Sequence, residues 1–254
     1  MNNFLVDTHV HLCEEVFEND LEDVISRARE QGVQRMISVS ESKEDVYKNL
    51  ELGEKYPEIL PAAGLYPGNA NIKEAEEIRD IIRRERIRIV AIGEVGLDFR
   101  LAETQEEQDT QRQVLDMFIG LSLELDLPLN VHSRSAGKHA AHQLVEQGAQ
   151  KVQMHAFDGK AGSAQEAIQA GYYFSIPPSI TRSRQKQKLL RQLPVSSLLL
   201  ETDAPVLGPS AESRNEPSNL VYSLQTVAEI KDVSIREAAE SLFNNTCRLY
   251  KDIV

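Results

Sequence analysis

The feature that most narrows the choice of fold is an alternation carried along nearly the whole chain. Short apolar stretches of strand character alternate with longer stretches whose apolar residues recur at helical spacing. Residues 20–30 show the helical kind, with Leu21, Val24, Ile25 and Ala28 on one face and Gly32 just past the end. They separate strands predicted over 4–11 and 35–39. The same reading predicts helices over 43–56, 73–84, 106–125, 140–146, 164–170 and 185–193. It predicts strands over 59–65, 87–92, 129–131, 152–154, 172–176 and 197–201. Eight strands joined through helices by short connections predict an α/β chain folded as one closed parallel (β/α)8 TIM-type barrel, a single unit over 1–254, rather than an open doubly wound sheet. No Gly-x-Gly-x-x-Gly follows any of these strands, which argues against dinucleotide binding. Two further helices, 220–230 and 234–250, are expected to cap the barrel from outside. The Pro-, Ser- and Gly-rich stretch 203–217 follows the last strand and is read as an active-site loop.

The first strand carries the chemistry, reading Phe4-Leu5-Val6-Asp7-Thr8-His9-Val10-His11. In an extended segment residues two apart share a face, so Asp7, His9 and His11 are expected to point one way and Val6, Thr8 and Val10 the other. Two imidazoles so placed can chelate one metal; the competing reading is a hydrogen-bonded core pair, which only partner ligands elsewhere in the chain can dismiss. Partners stand at the ends of other predicted strands: Glu94 after the fourth, His132 after the fifth, His155 after the sixth and Asp203 after the eighth. Barrel active sites lie at the C-terminal ends of the strands, so all six converge on one mouth. Four imidazoles and two carboxylates predict two divalent ions, of Zn²⁺, Mn²⁺ or Mg²⁺. Such a pair acidifies a water and clamps both oxygens of an in-line displacement. Glu94 is the best bridge between the ions, and Asp203 is expected to bind one of them and accept the proton of the attacking water.

Charge limits the substrate. A net charge of −12 and a pI near 5.0 disfavour a long phosphate-tracking surface. A polyanion must therefore be met locally. Arg134, two residues past His132, and Arg214, in the final loop, are placed to do so. A basic cluster follows the seventh strand: Arg182, Arg184, Lys186, Lys188 and Arg191, with Arg184 expected to hold phosphate. The cluster also reads as one solvated helix face. His139 and His142 are expected on the outer surface, and Cys13 and Cys247 form no disulfide framework. No apolar run approaches a membrane span and the N-terminus lacks a secretory signal, so a cytoplasmic location without membrane association is expected; a monomer is the separate expectation for assembly.

Several stretches can now be set together: Asp7-Thr8-His9-Val10-His11, Gly93-Glu94-Val95-Gly96-Leu97-Asp98, His132-Ser133-Arg134, His155-Ala156-Phe157-Asp158-Gly159, Leu200-Glu201-Thr202-Asp203-Ala204-Pro205 and Arg214-Asn215-Glu216-Pro217. In this order and spacing they resemble the TatD family of metal-dependent deoxyribonucleases, within the amidohydrolase superfamily of barrels. The stretches 132–137, 176–180 and 185–189 look most like the deoxyribonuclease subgroup that includes the third human TatD-domain protein. The resemblance implies a two-metal phosphodiesterase acting on DNA, often as a 3′ exonuclease on single strands. It carries metal-binding roles onto His9, His11, Glu94, His132, His155 and Asp203. The chain departs from the family where a Gly-x-His-Pro-His pattern often follows the third strand and here reads Gly64-Leu65-Tyr66-Pro67-Gly68. It departs again at Ser135, where an acid often follows His-Ser-Arg. Two other functions stay open: hydrolysis of an ester or amide, as in the deacylases of misacylated transfer RNA that related proteins resemble, and a non-catalytic binding protein stabilised by its metals. The bond that is cut separates the first from DNA hydrolysis. Thermal stabilisation by metal without turnover would mark the second.

Overall fold

The computed structural model describes residues 4–251 and 253. Its strands are β1 (Leu5–Val10), β2 (Val33–Ser38), β3 (Ile59–Ala63), β4 (Ala91–Gly96), β5 (Leu129–His132), β6 (Val152–Met154), β7 (Tyr173–Ile176) and β8 (Leu198–Leu200), in that order in one parallel sheet. The helices are α1 (Leu21–Glu30), α2 (Lys43–Lys55), α3 (Ile72–Arg84), α4 (Gln105–Leu125), α5 (Gly137–Glu146), α6 (Ala161–Gln169), α7 (Arg184–Gln192), α8 (Leu220–Lys231) and α9 (Ile235–Leu249). Local chemistry starts several of them. Ser42 caps α2, Ser183 caps α7, and Thr104 and Glu107 form a reciprocal capping box on α4. The apolar stripe of α1 is buried at the four positions its spacing predicted.

The barrel closes between β8 and β1 through a clasp rather than a full ladder. Thr8 Oγ1 donates to the Leu200 carbonyl at 2.9 Å, the Thr202 amide donates to Asp7 Oδ1 at 2.9 Å, and the Asp203 and His11 amides reach the carbonyls of His9 and Ala204. Asp7 therefore serves the seam and does not join the histidines. A bulge in β1 is the reason: Asp7 pairs with Met36 and Val10 with Ser38, so β1 spends one residue more than its neighbour. One extra residue flips the faces beyond it. Val6 accordingly packs in the barrel interior and Val10 in the outer layer between sheet and helices, not on the common face that simple alternation predicted.

The fourth strand is also displaced from its predicted 87–92. Ile87 is fully exposed, and the ladder runs through Gly93-Glu94-Val95-Gly96, so that Glu94 lies within β4 rather than beyond it. Close passage of β5 explains the glycines. A Cβ on Gly93 would stand 2.6 Å from Asn130 Cβ, and one on Gly96, at φ +148°, would stand 2.0 Å from the His132 carbonyl oxygen. Glycines that look like a turn are here the condition for two strands to approach.

The C-terminal helices do more than cap. Beyond α9, Tyr250 and Ile253 enter the interior cluster with Val6, Ile37, Ala62, Ala91 and Leu199. The buried Tyr250 hydroxyl donates to Gln153 Oε1 at 2.6 Å and receives Asn130 Nδ2 at 3.4 Å. Among the described residues no helix is long and apolar enough to cross a membrane. Cys13 and Cys247 are free.

Candidate metal centre

His9 sets the geometry. Asn130 donates its Nδ2 to the Thr8 carbonyl at 2.8 Å, which turns its Oδ1 toward His9 Nδ1, also at 2.8 Å. The ring proton of His9 is thereby held on Nδ1 and the Nε2 lone pair is left free. That Nε2 lies 3.2 Å from His11 Nε2, 3.4 Å from Asp203 Oδ1 and 3.5 Å from Glu94 Oε2. His11 Nε2 stands 3.3 and 3.5 Å from the same two carboxylate oxygens.

The other oxygen of Glu94 faces a second pair. Glu94 Oε1 is 2.7 Å from His132 Nδ1 and 3.7 Å from His155 Nε2. Each of these rings is oriented by a buried acid behind it: Asp98 Oδ2 lies 3.0 Å from His132 Nε2, and Glu201 Oε2 lies 3.1 Å from His155 Nδ1. Asp98 also receives Arg134 Nε and the Tyr66 hydroxyl, each at 2.8 Å. Glu201 also receives the Ala156 amide at 2.9 Å and the Ser175 hydroxyl at 2.5 Å. With their far nitrogens so engaged, His132 and His155 turn lone pairs toward Glu94.

Three histidine tautomers fixed from behind thus point acceptors at acceptors. Such a set is repulsive unless cations lie between, and buried imidazole with carboxylate is the donor chemistry of borderline divalent ions. The residues fit such an ion: His9, His11 and Asp203 form one group with ligand atoms close enough to share it, His9, Glu94 and His155 another, and His11, Glu41 and Glu94 a third, with His132 against Glu94 Oε1. Protons partly answer the same need. Burial lowers the affinity of His9 for its proton, yet the carboxylates of Asp203 and Glu94 raise it well above the ordinary value. Burial likewise opposes a proton on His132, and Asp98 and Glu94 carry it up to about 9. Glu94 and Asp203, which burial alone would raise, are held well below the usual carboxylate range by these imidazoles.

The predicted anion contacts are placed differently. His11, Glu94, His132, His155 and Asp203 line one cavity of about 450 Å³ with His9 buried behind them, and Arg134 lines it too, tied to Asp98 and the Tyr66 hydroxyl. Arg214 lies outside its lining: it grips Asp20 with two nitrogens, at 2.9 and 2.5 Å, and stacks over Phe17. Arg184 lies outside it as well, exposed at the first position of α7, where Lys186 turns inward instead. Two residues apart on a helix are about 200° apart around its axis, so only one of them can face the mouth. Glu41, after β2, stands 3.8 Å from His11 Nδ1 and was not singled out in the sequence, nor were Asn130, Asp98 and Glu201 as orienting groups. Their signal was a polar residue inside an apolar strand, or an acid close in sequence to Glu94 or Asp203. His139 packs against Phe99 and the exposed His142 meets Glu166, both on the outer helix layer.

A parallel eight-stranded barrel with buried, carboxylate-bridged histidines at the C-terminal ends of its strands defines a metal-dependent hydrolase. A family model described as TatD related DNase matches residues 6–251, and the chain belongs to the TatD family. It is 44% identical to the deoxyribonuclease TATDN3 of Homo sapiens, over 97% of this chain and 94% of that one. It is 33% identical to the uncharacterized metal-dependent hydrolase YabD of Bacillus subtilis, over 97% and 99%. The crystal structure of the TatD homolog YjjV from Escherichia coli K12 superposes with a TM-score of 0.91 at 29% identity, covering 98% of this chain and 99% of that one.

Proposed function

We propose that this enzyme hydrolyses DNA phosphodiester bonds with two divalent ions, as a 3′-to-5′ exonuclease on single strands. The observation that carries the reading is the split of Glu94, one oxygen toward His132 and His155 and the other toward His9 and His11. Its support from outside the structure is the family and the deoxyribonuclease name of the human relative. His9, His11 and Asp203 would hold one ion, His132 and His155 the other, and Glu94 both. Zn²⁺, Mn²⁺ or Mg²⁺ bound there would acidify a water and offset the charge that a phosphodiester accumulates on attack.

The rest of the reaction falls to the chain. Asp203 lies at the mouth with Oδ1 between His9 and His11, and it accepts the proton from the attacking water, its carboxylate kept ionised by the imidazoles around it. Asn130, Asp98 and Glu201 keep the rings from turning as charge develops. Arg134, braced by Asp98 and Tyr66, presents its remaining N–H groups to the substrate.

The test is metal-stripped protein restored with Mg²⁺, Mn²⁺ or Zn²⁺ in turn and given single-stranded DNA labelled at its 5′ end. A ladder that shortens from the 3′ end and is absent with Asp203→Asn supports the reading. Intact DNA under all three ions, with hydrolysis of a carboxylic ester, would replace it with ester hydrolysis.

A further inference from the structure

We propose that Lys186 is the residue that grips the phosphate being cut, a role that rests on the phosphodiesterase reading. Lys186 and Arg134 are the two cations among the described residues that line the cavity of the metal centre. Arg134 has Nε and Nη2 committed to Asp98 and Tyr66. Lys186 is not so committed. Its one side-chain hydrogen bond among the described residues runs from Nζ to the Ala156 carbonyl at 3.1 Å, which leaves two N–H groups at the mouth and no carboxylate in direct ion-pair contact among the described residues.

The surroundings hold that ammonium in place. Ser183 caps α7 and accepts the Lys186 amide, which sets Lys186 at the third helical position, in the first turn where the helix end itself favours an anion. Ala156 adopts φ +40°, and this unusual backbone is secured from both sides, its amide by Glu201 and its carbonyl by Lys186. The same peptide that links Lys186 to the site follows His155 directly. A phosphate oxygen placed between Lys186 and the metal-facing residues would complete the ammonium's bonds, and burial of the amine, which lowers its pKa, is offset in part by Glu201 and Asp203. In a chain with net charge −12, this half-buried lysine brings positive charge to a cavity lined by Glu41, Glu94, Asp158 and Asp203.

Inorganic phosphate is the probe, titrated calorimetrically into the metal-loaded protein, alongside KM and kcat for a single-stranded oligonucleotide and for bis(4-nitrophenyl) phosphate, which has one phosphate only. Lys186→Gln, which retains an N–H for the Ala156 carbonyl, should weaken phosphate binding and raise both KM values by about 10-fold to 100-fold, the worth of a charged hydrogen bond. Its kcat should move much less, Lys186→Arg should recover most of the loss, and Arg184→Ala should change nothing. Unchanged phosphate affinity in Lys186→Gln at an unchanged melting temperature overturns the assignment. A raised KM for the oligonucleotide alone also overturns it, moving the contact to a neighbouring phosphate. Loss of phosphate binding in the variant of a protein that cuts no DNA would retain Lys186 and reject the exonuclease.

Discussion

The Tyr66 ring occupies the space a side chain on Gly68 would need: a Cβ at Gly68 would stand 2.5 Å from Tyr66 Cε1. The residues at these two positions therefore depend on one another in this chain. The ring cannot retreat freely, because its hydroxyl is bonded to Asp98 and its edge meets His132 at 5.1 Å. Gly68→Ala should destabilise the fold by about 1–3 kcal/mol, the usual effect of overpacking, and raise KM through the displaced Arg134. Chemical denaturation measures the first and steady-state kinetics the second; an alanine variant as stable as the parent would dissolve the linkage.

Asp203→Asn should keep most of the bound metal and lose turnover by about 100-fold to 10,000-fold, as expected when a positioned base is removed. His9→Ala should lose metal as well. Elemental analysis beside kcat separates the two, and near-parental turnover in Asp203→Asn would assign the proton to another group.

Asn130 touches no predicted substrate, yet it fixes which nitrogen of His9 is bare. Asn130→Ala should weaken metal binding by about 10-fold to 100-fold, the range for residues that orient a ligand. A competition titration against a chromophoric chelator reads this directly. Unaltered affinity would mean that the bulk of the barrel alone holds the ring.

The final loop is strapped to the first helix by two crossed ion pairs, Arg214 to Asp20 and Arg27 to Glu216. Burial pushes Glu216 up, but Arg27 and the Ser218 hydroxyl more than offset it and leave the carboxyl below its ordinary 4.5. A carboxylate lowered by folding stabilises fully above its unfolded value, and that contribution is lost as the pH falls through the folded one. Melting temperature should therefore drop below pH 4.5 more steeply in the parent than in Glu216→Gln. Parallel curves would show that the strap carries no stability.

The barrel and the meeting of His9, His11, Glu94, His132, His155 and Asp203 could be read from the sequence because both rest on local periodicity: strands and helices alternate, and these six stand at or near strand ends. What escaped the reading depends on neighbours. The bulge that separates Val6 from Val10 exists only against β2, and the glycines of β4 make sense only beside Asn130 and His132. That Arg214 pairs with Asp20 is hidden by their distance in the chain, and that Lys186 rather than Arg184 lines the cavity depends on where α7 starts.

Tyr250 gives the molecule a sequence in time. Through Gln153, Ser175 and Glu201 it is joined to the His155 ring, and through Asn130 to His9. Translation delivers His9, His11, Glu94, His132, His155 and Asp203 before this phenol emerges. A growing chain thus holds the ligands while the hydrogen-bond lattice that aims them is still unfinished. The geometry of the cluster is therefore completed only when the segment that follows α9 has folded back onto the barrel floor.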